Sequence, residues 1–410
     1  MKWAACNLAI MLLFLSISAF TQNKTPQLDF KFGKGLNVIA PDSSIALKIG
    51  FRFQSLLAAE RNLVNEENWG TTFQIRRARL KFDGWALSSR LKYKIELGLS
   101  NKDISPAKDN KETGGASKII LDAVIKYRLN KHFELWAGQT KLPGNRERVV
   151  SSQKLQFVDR SLVNSVFNLD REMGLQLRSN FQLGNNWILK PGISLSFGEG
   201  RNIITKNIGG YHYVGRLELL PFGEFTGGGD YFQSDLARET SVKLALGASF
   251  SYNQNASRQS HTGRFLVDSL GNYLTHDLNT LLLDFIVKYR GFSMMGEYAR
   301  KKITDLSPSK ENIADRDDLI DPAGRSYLTG TGFNLQLSYL FKSNFEIATR
   351  ITGLTPDSAV SFSQLHEYTL GLSKYISGHN LKIQSDISLI NFSDTGQDYL
   401  RYRLQMEFAF

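Results

Sequence analysis

The chain has 410 residues, 22% of them charged, with 50 Lys+Arg against 39 Asp+Glu and a formal net charge of +11. Its one cysteine excludes a disulfide framework, and abundant Gly, Phe and Tyr beside only nine prolines favour strands over disorder. A basic balance of this size suits nucleic acid, anionic surfaces or anionic solutes.

In chain order, MKWAACNLAIMLLFLSISAF carries one charge, Lys2, and an apolar run from Leu8 to Phe20; polarity begins at Gln22. That is the order of an export signal, and the run is shorter than the ~20 residues of a membrane helix. Residues 1–21 are expected to be a signal peptide, which removes Cys6 and argues against nucleic acid as a partner. Residues 22–44 are polar and weakly patterned, and read as a periplasmic N-terminal arm.

Period two dominates from residue 45 to residue 410. Ala78, Leu80 and Phe82 alternate with Arg77, Arg79, Lys81 and Asp83. Leu91, Tyr93, Ile95 and Leu97 alternate with Lys92, Lys94 and Glu96; Leu121, Ala123, Ile125 and Tyr127 alternate with Asp122, Lys126 and Arg128. Successive side chains on a strand point to opposite faces, so each segment has one apolar and one charged wall. The segments mostly run about ten to fourteen residues, where soluble strands run ~5–6 and a tilted membrane-crossing strand needs ~9–11. A soluble sandwich would also alternate, but its polar wall has no need of so many full charges. The expectation is all-β: a transmembrane antiparallel β-barrel of about sixteen strands, even-numbered as such barrels are.

Tight connections at Asn130-Lys131, Gly184-Asn185, Arg290-Gly291, Ser343-Asn344 and Gly378-His379 alternate with long ones at 58–70, 102–117, 141–169, 199–210, 253–276 and 304–328. The exception is 223–239, long where a tight turn is due; its GGG at Gly227–Gly229 reads as a flexible periplasmic turn. Outer-membrane barrels sort their loops in this way, short on the periplasmic side and long outside. The chain ends RYRLQMEFAF, with Tyr402, Leu404, Met406, Phe408 and Phe410 on one parity, as a closing strand that pairs with the first near Ile45–Leu57.

No catalytic constellation is present in the sequence. The six histidines lie in six different segments, no HExxH or GxSxG occurs, and no metal or cofactor is expected. Asp315, Asp317, Asp318 and Asp321 lack the glycine and glutamate of a calcium loop and read as solvated charge. The cations carry more: Arg52, Arg77, Arg79, Lys81, Lys92, Lys94, Lys126 and Arg128 all fall on the charged wall of consecutive strands, where they line one side of a pore and favour anions; the competing reading is a mixed lumen in which Asp83, Glu96, Asp122 and Glu134 pair with them and leave only weak preference. Connection 141–169 is the longest and the least polar. Folded inward it buries Val149, Val150, Leu155, Phe157 and Phe167, narrows the pore and brings Lys141, Arg146 and Arg148 to the constriction; a lid over the mouth or a trimer contact are the competing readings.

Three blocks, QIRRARLKFDG (74–84), GQTKLPGNRERVVSSQKLQFVDRSLV (138–163) with DREMGLQL (170–177), and PFGEFTGGGDYF (221–232), resemble the phosphate-selective porin O and P family. The resemblance implies a sixteen-stranded trimeric barrel with its third external loop folded into the channel, and an arginine pair on the second strand at the constriction. Here the matching positions are Arg76 and Arg77, with Arg52 matching a first-strand arginine. Parity turns Arg77 inward and Arg76 outward, so a bulge near 75–77 is required for both to reach the pore. The expected function is passive diffusion of small hydrophilic solutes, anions and phosphate among them, across the bacterial outer membrane. The partners are membrane lipid, small anionic solutes and two further copies of the chain. The alternatives are a plugged barrel in a structural or adhesive role, and a barrel-wall lipid hydrolase.

Overall fold

Alternation becomes strand wherever it persists. The computed structural model describes residues 26–65, 68–104, 111–207, 209–304, 319–357 and 362–410; the expected signal peptide lies outside them. Two short strands, β1 (Gln27–Lys31) and β2 (Gly35–Ile39), precede the barrel. Its wall begins with β3 (Ile45–Asn62), β4 (Gly70–Ala86), β5 (Ser88–Gly98), β6 (Ile120–Arg128), β7 (Phe133–Lys141) and β8 (Arg171–Ser179). After the three-residue β9 (Phe181–Leu183) it continues as β10 (Trp187–Ser196), β11 (His212–Leu220), β12 (Lys243–Ala256), β13 (His276–Tyr289) and β14 (Phe292–Ile303). It ends with β15 (Gly330–Leu340), β16 (Phe345–Pro356), β17 (Leu365–Ser377), β18 (Leu381–Phe392) and β19 (Gln397–Ala409). β8 and β9 both pair with β10 and together form one interrupted strand. Each strand pairs antiparallel with its successor and β19 returns to β3, so the described residues form a closed sixteen-strand barrel.

The burial pattern is that of a soluble protein turned inside out. Ile193, Phe250, Tyr298, Leu335, Ile351 and Leu370 stand exposed on the outer wall. The alternate positions Asp284, Lys288, Arg350, Glu367, Lys382 and Glu407 are buried within. An apolar exterior and a charged interior are compatible only with a lipid-facing wall. The turn Arg290-Gly291 has positive φ at both residues (47° and 92°), the backbone of a two-residue hairpin whose twist matches its strands.

Two regions differ from the sequence reading. Residues 27–39 are a hairpin rather than an unpatterned arm: β2 pairs with the foot of β3, from Leu36↔Ile49 to Ile39↔Ala46, directly below the end of β19. There Phe30 and Phe32 meet Phe410 and Phe408, with ring centroids 6.3 and 5.7 Å apart. The GGG segment is not a loose turn, because it sits in a short 3-10 stretch, Thr226–Tyr231, whose neighbours Phe225, Asp230, Gln233 and Asp235 are buried. Its carbonyls are held by a barrel-wall cation: Lys288 Nζ donates to Gly229 O and Ser234 O, both at 2.8 Å.

Across the closing seam, Glu407 accepts from Arg52 (3.2 Å), on β3, and from Gln54 (2.7 Å). Removing one partner of a buried ion pair leaves the other uncompensated, at a cost of about 3–5 kcal/mol. Glu407→Ala should therefore lower barrel stability by about that amount, read as an earlier denaturant midpoint for the heat-modifiable form in detergent. An unchanged midpoint would show that the seam does not rely on this pair.

Candidate functional site

The site is built on an irregularity in β4. Register runs Gln54↔Arg77 and then Ser55↔Ile75, which leaves Arg76 as an extra residue opposite the step. This is the bulge that parity requires, and it turns neighbouring arginines toward one acceptor. Arg76 Nη2 and Arg77 Nη2 reach Asp159 Oδ1 at 2.8 and 2.7 Å, and Arg76 Nε adds a bond to Oδ2 at 3.1 Å. Two guanidiniums on one carboxylate form a charge-assisted clamp.

Asp159 belongs to the connection between β7 and β8, and that connection is stitched to the inner wall along its length. Arg146 Nε donates to Asp284 Oδ1 (2.8 Å), Glu147 N to Glu297 Oε1 (2.5 Å), Gln156 Nε2 to Ser338 Oγ (2.5 Å) and Val158 N to Asp386 Oδ2 (3.0 Å). Its apolar side chains need room at the wall, and glycine supplies it. A Cβ on Gly371 would lie 2.8 Å from the Phe157 ring, and one on Gly332 about 3.0 Å from Phe167 and Val163. From the opposite end, the buried segment after β11 meets this connection: Gln156 N donates to Gln233 Oε1 (2.9 Å), and Gln233 N to Lys154 O (3.0 Å).

Between them, these two connections bond to inward-facing residues of β12–β18. A cavity of about 1260 Å³ is bordered by β4–β8, by Lys190 on β10, Arg216 on β11 and Arg401 and Arg403 on β19, and by residues of the connections. Nineteen Lys and Arg line it against six Asp and Glu. A smaller cavity of about 540 Å³ adjoins β2–β5, and Lys94 and Lys126 line both.

A family model for phosphate-selective porin O and P matches residues 47–410. The chain belongs to this family. No curated protein matches it. Among solved structures it is similar to an anion-selective porin from Comamonas acidovorans (11% identity, TM-score 0.55, covering 89% of this chain and 100% of that one). It is also similar to Salmonella typhi OmpF in complex with daunomycin (12%, 0.54, 90% and 99%). A third is the outer-membrane channel DcaP of Acinetobacter baumannii (11%, 0.53, 94% and 100%). At these identities the likeness is one of fold. Family and fold together make the chain an outer-membrane porin channel rather than an enzyme.

The residues singled out in the sequence separate into four groups in this porin. Arg76, Arg77, Arg79, Lys94, Lys126, Lys141 and Arg148 border the large cavity. Arg79 bonds Glu96 (2.9 Å) and Asp103 (3.2 Å), Lys94 bonds Asp122 (2.6 Å), Arg148 pairs with Asp170, and Lys126 lies 3.4 Å over the Trp136 ring. Lys81 and Lys92 border the smaller cavity. Arg52 and Arg146 reach neither, because each is spent as an anchor: Arg52 on Glu407 and on Ser152 Oγ (2.5 Å), Arg146 on Asp284 and on Asp230 O (3.0 Å). Arg128 is exposed at the end of β6 and borders neither cavity. Of the acidic cluster, Asp315, Asp317 and Asp318 lie outside the described residues, and Asp321 pairs with Arg325 at 2.6 Å.

Sequence parity missed Arg160, Arg171, Arg178 and Arg201, which also border the large cavity. Arg171 was accessible to the same reasoning, since it opens β8 and faces Asp122 across β7 at 3.0 Å. Arg160 was not, because its place depends on how the connection folds: its guanidinium donates to the carbonyls of Glu147 and Val150, both at 2.7 Å.

Burial alone would raise the Asp159 carboxyl, but Arg77, Arg76 and Arg403 outweigh it and hold the group well below the ordinary carboxylate range. A depressed folded value means that its contribution to stability is complete above ~3.9, the unfolded carboxylate value, and fades only as pH falls through the folded value. Asp159→Asn should therefore destabilise by about 3 kcal/mol at pH 7. Denaturant unfolding in detergent should give the same deficit at pH 5, with the two proteins converging only well below pH ~3.9. A difference that has vanished by pH 5 would contradict the clamp.

Proposed function

We propose that this porin selects for small anions, and that oxyanions such as phosphate are among its solutes. The observation that carries this is the nineteen-to-six excess of cations around the large cavity. All six carboxylates are already engaged by Lys or Arg: Asp159 by Arg77, Glu96 and Asp103 by Arg79, Asp122 by Arg171, Asp170 by Arg148 and Glu218 by Arg216. Some of the remaining cations pair with acids beyond the lining, Lys190 with Asp230 (3.0 Å) and Arg403 with Asp386 (2.6 Å), but the lining itself keeps a surplus of positive charge, which draws mobile anions in and raises a barrier to cations. Guanidinium forks suit the oxygen edges that an oxyanion presents, and many of the cations bordering this cavity are arginines. On this reading the 142–170 connection is an inward-folded constriction whose clamp sets the width of the passage. Lys94 and Lys126 carry the path from the large cavity to the smaller one, where Lys81 and Lys92 continue it. One neighbour in fold is itself described as an anion-selective porin. Residues 1–21 serve as the export signal, and the working unit is a homotrimer, as the family resemblance implies.

Lys126 offers the cleanest test, since its contact in the described structure is with the Trp136 ring and not with a load-bearing carboxylate. In planar bilayers under a tenfold KCl gradient, the wild-type reversal potential should carry the anion-selective sign. Lys126→Glu should move it toward cations while leaving the barrel heat-modifiable. Inorganic phosphate on one side should reduce chloride conductance. A cation-selective wild type, or a Lys126→Glu channel with unaltered reversal potential, would refute this assignment.

A further inference from the structure

The histidines that share no spacing in sequence do meet in space. Glu172 at the start of β8, His212 at the start of β11 and His261 in the connection after β12 place one ligand atom each within 4.8 Å of the others. All three side chains are buried, with at most 5% exposure. Glu172 Oε1 lies 3.2 Å from His212 Nδ1 and 3.2 Å from His261 Nε2. Tetrahedral zinc with ligand bonds of about 2.0–2.2 Å holds its ligand atoms roughly 3.3–3.5 Å apart. The observed separations are close to that edge length.

The surroundings are arranged as an outer shell. Glu172 Oε2 is taken by Ser196 Oγ (2.5 Å) and Gly198 N (2.9 Å), which leaves Oε1 to face the imidazoles. His212 Nε2 is held by Ser251 Oγ at 2.6 Å. The Nδ1–H tautomer of His212 bonds Glu172 Oε1 directly at 3.2 Å, whereas the Nε2–H tautomer donates to Ser251 Oγ and turns the Nδ1 lone pair toward that oxygen, which opens a position for a cation between them. Independently, His261 Nε2 is buried without a hydrogen-bond partner although Glu172 Oε1 stands only 3.2 Å away: the distance is right but the direction is not. A buried polar nitrogen left unsatisfied is costly, and a metal ion shared with Glu172 would satisfy it. Beside the two histidines lies a cavity of about 20 Å³, room for a single water as fourth ligand.

We propose that Glu172, His212 and His261 form a binding site for one divalent transition-metal ion of the zinc class. Two imidazoles and one carboxylate suit zinc, cobalt or nickel better than calcium or magnesium, which prefer all-oxygen sets. Because His261 is the one ligand carried by the external connection, the ion acts as a staple that holds residues 257–275 to the inner wall. That connection also contributes Arg258 and Arg264 to the border of the large cavity.

The test uses the full-length barrel in detergent, stripped with a chelator and titrated with Zn²⁺ against a chromophoric competitor. One Zn²⁺ should bind per chain, and Co²⁺ should give the visible absorption of a four-coordinate ion. His261→Ala, in the connection and so not part of the barrel wall, should abolish stoichiometric binding while electrophoretic heat-modifiability stays normal. Ser251→Ala, which removes only the outer-shell contact, should weaken binding about 10-fold or more. A second arm needs no substitution: saturating Zn²⁺ should slow proteolysis within 257–275 in the wild type. Absence of one-to-one binding, equal titration of wild type and His261→Ala, or cleavage indifferent to Zn²⁺ would each overturn the site, and none of these results bears on anion selectivity.

Discussion

Hydrocarbon offers no water to an unpaired amide, so a sheet can live in a bilayer only if its first and last strands find each other. Everything in this porin depends on that seam. The β19–β3 ladder runs from Tyr399↔Asn62 to Ala409↔Arg52, and the last residue continues it, with Phe410 N bonding Phe51 O at 3.0 Å and Phe51 N bonding Phe410 O at 3.2 Å. Beyond the chain end β2 takes over the edge of β3, so the pairing passes from one end of the polypeptide to the other without a gap. The rings of Phe408 and Phe410 pack on Phe53 and Phe51, with centroids 5.7 and 5.9 Å apart, and cover this junction on the lipid side. Inside, the seam and the large connection share one network. Asp159 holds Arg77, Arg77 Nη1 donates to Gln54 at 2.7 Å, Gln54 donates to Glu407, and Arg52 links Glu407 back to Ser152.

Turning a protein inside out transfers its polar accounting to the lumen. On a soluble surface most of these charges would be solvated, and their pairing worth little. Where the two connections pack against the inner wall, a buried charge is costly without a partner. Arg146, Arg216, Glu218 and Asp284 illustrate this: Arg216 bonds Glu218 at 2.6 Å and Asp284 at 2.7 Å, and Arg146 shares both acids. Around the large cavity, cations outnumber carboxylates among the lining residues by nineteen to six. A surplus of like charge costs less beside a cavity that solvent can enter than in a sealed interior, because solvent screens it. Arg216 and Glu218 stand where the two meet, since they belong to the paired network and also border the large cavity.

The wall was legible in the sequence and its contents were not. Period two depends on neighbours along one strand, so Leu80, Lys81 and Phe82 declare their faces locally, and the alternation of tight and long connections declares the topology. Even the β4 bulge could be foreseen, since two adjacent arginines with a shared role contradict a strict period. Arg146 shows where this stops. By position it belongs beside Arg148 at the channel; in the structure it is sealed against Asp284 on β13, a contact 138 residues away that no local pattern records. The hairpin at 27–39 escaped because Leu28, Phe30 and Phe32 look unremarkable until Phe408 and Phe410 lie opposite them.

The long connection after β11 breaks the loop pattern for a reason that only the assembled lumen shows. A single inward connection resting on one wall would leave its far surface without partners, and a polar backbone there would compete for water in the passage. The segment from Phe225 to Glu239 supplies that surface from the other end of the barrel. It offers Gln233 to Gln156, Asp230 O to Arg146 and the Phe232 ring to Lys154, whose Nζ lies 3.5 Å from the ring centroid. Lys288 and Ser293 tie it in turn to the wall, through Gly229 O, Ser234 O and Gln233 O. Each connection thereby satisfies groups that the other exposes, and neither can shift without breaking bonds on both sides.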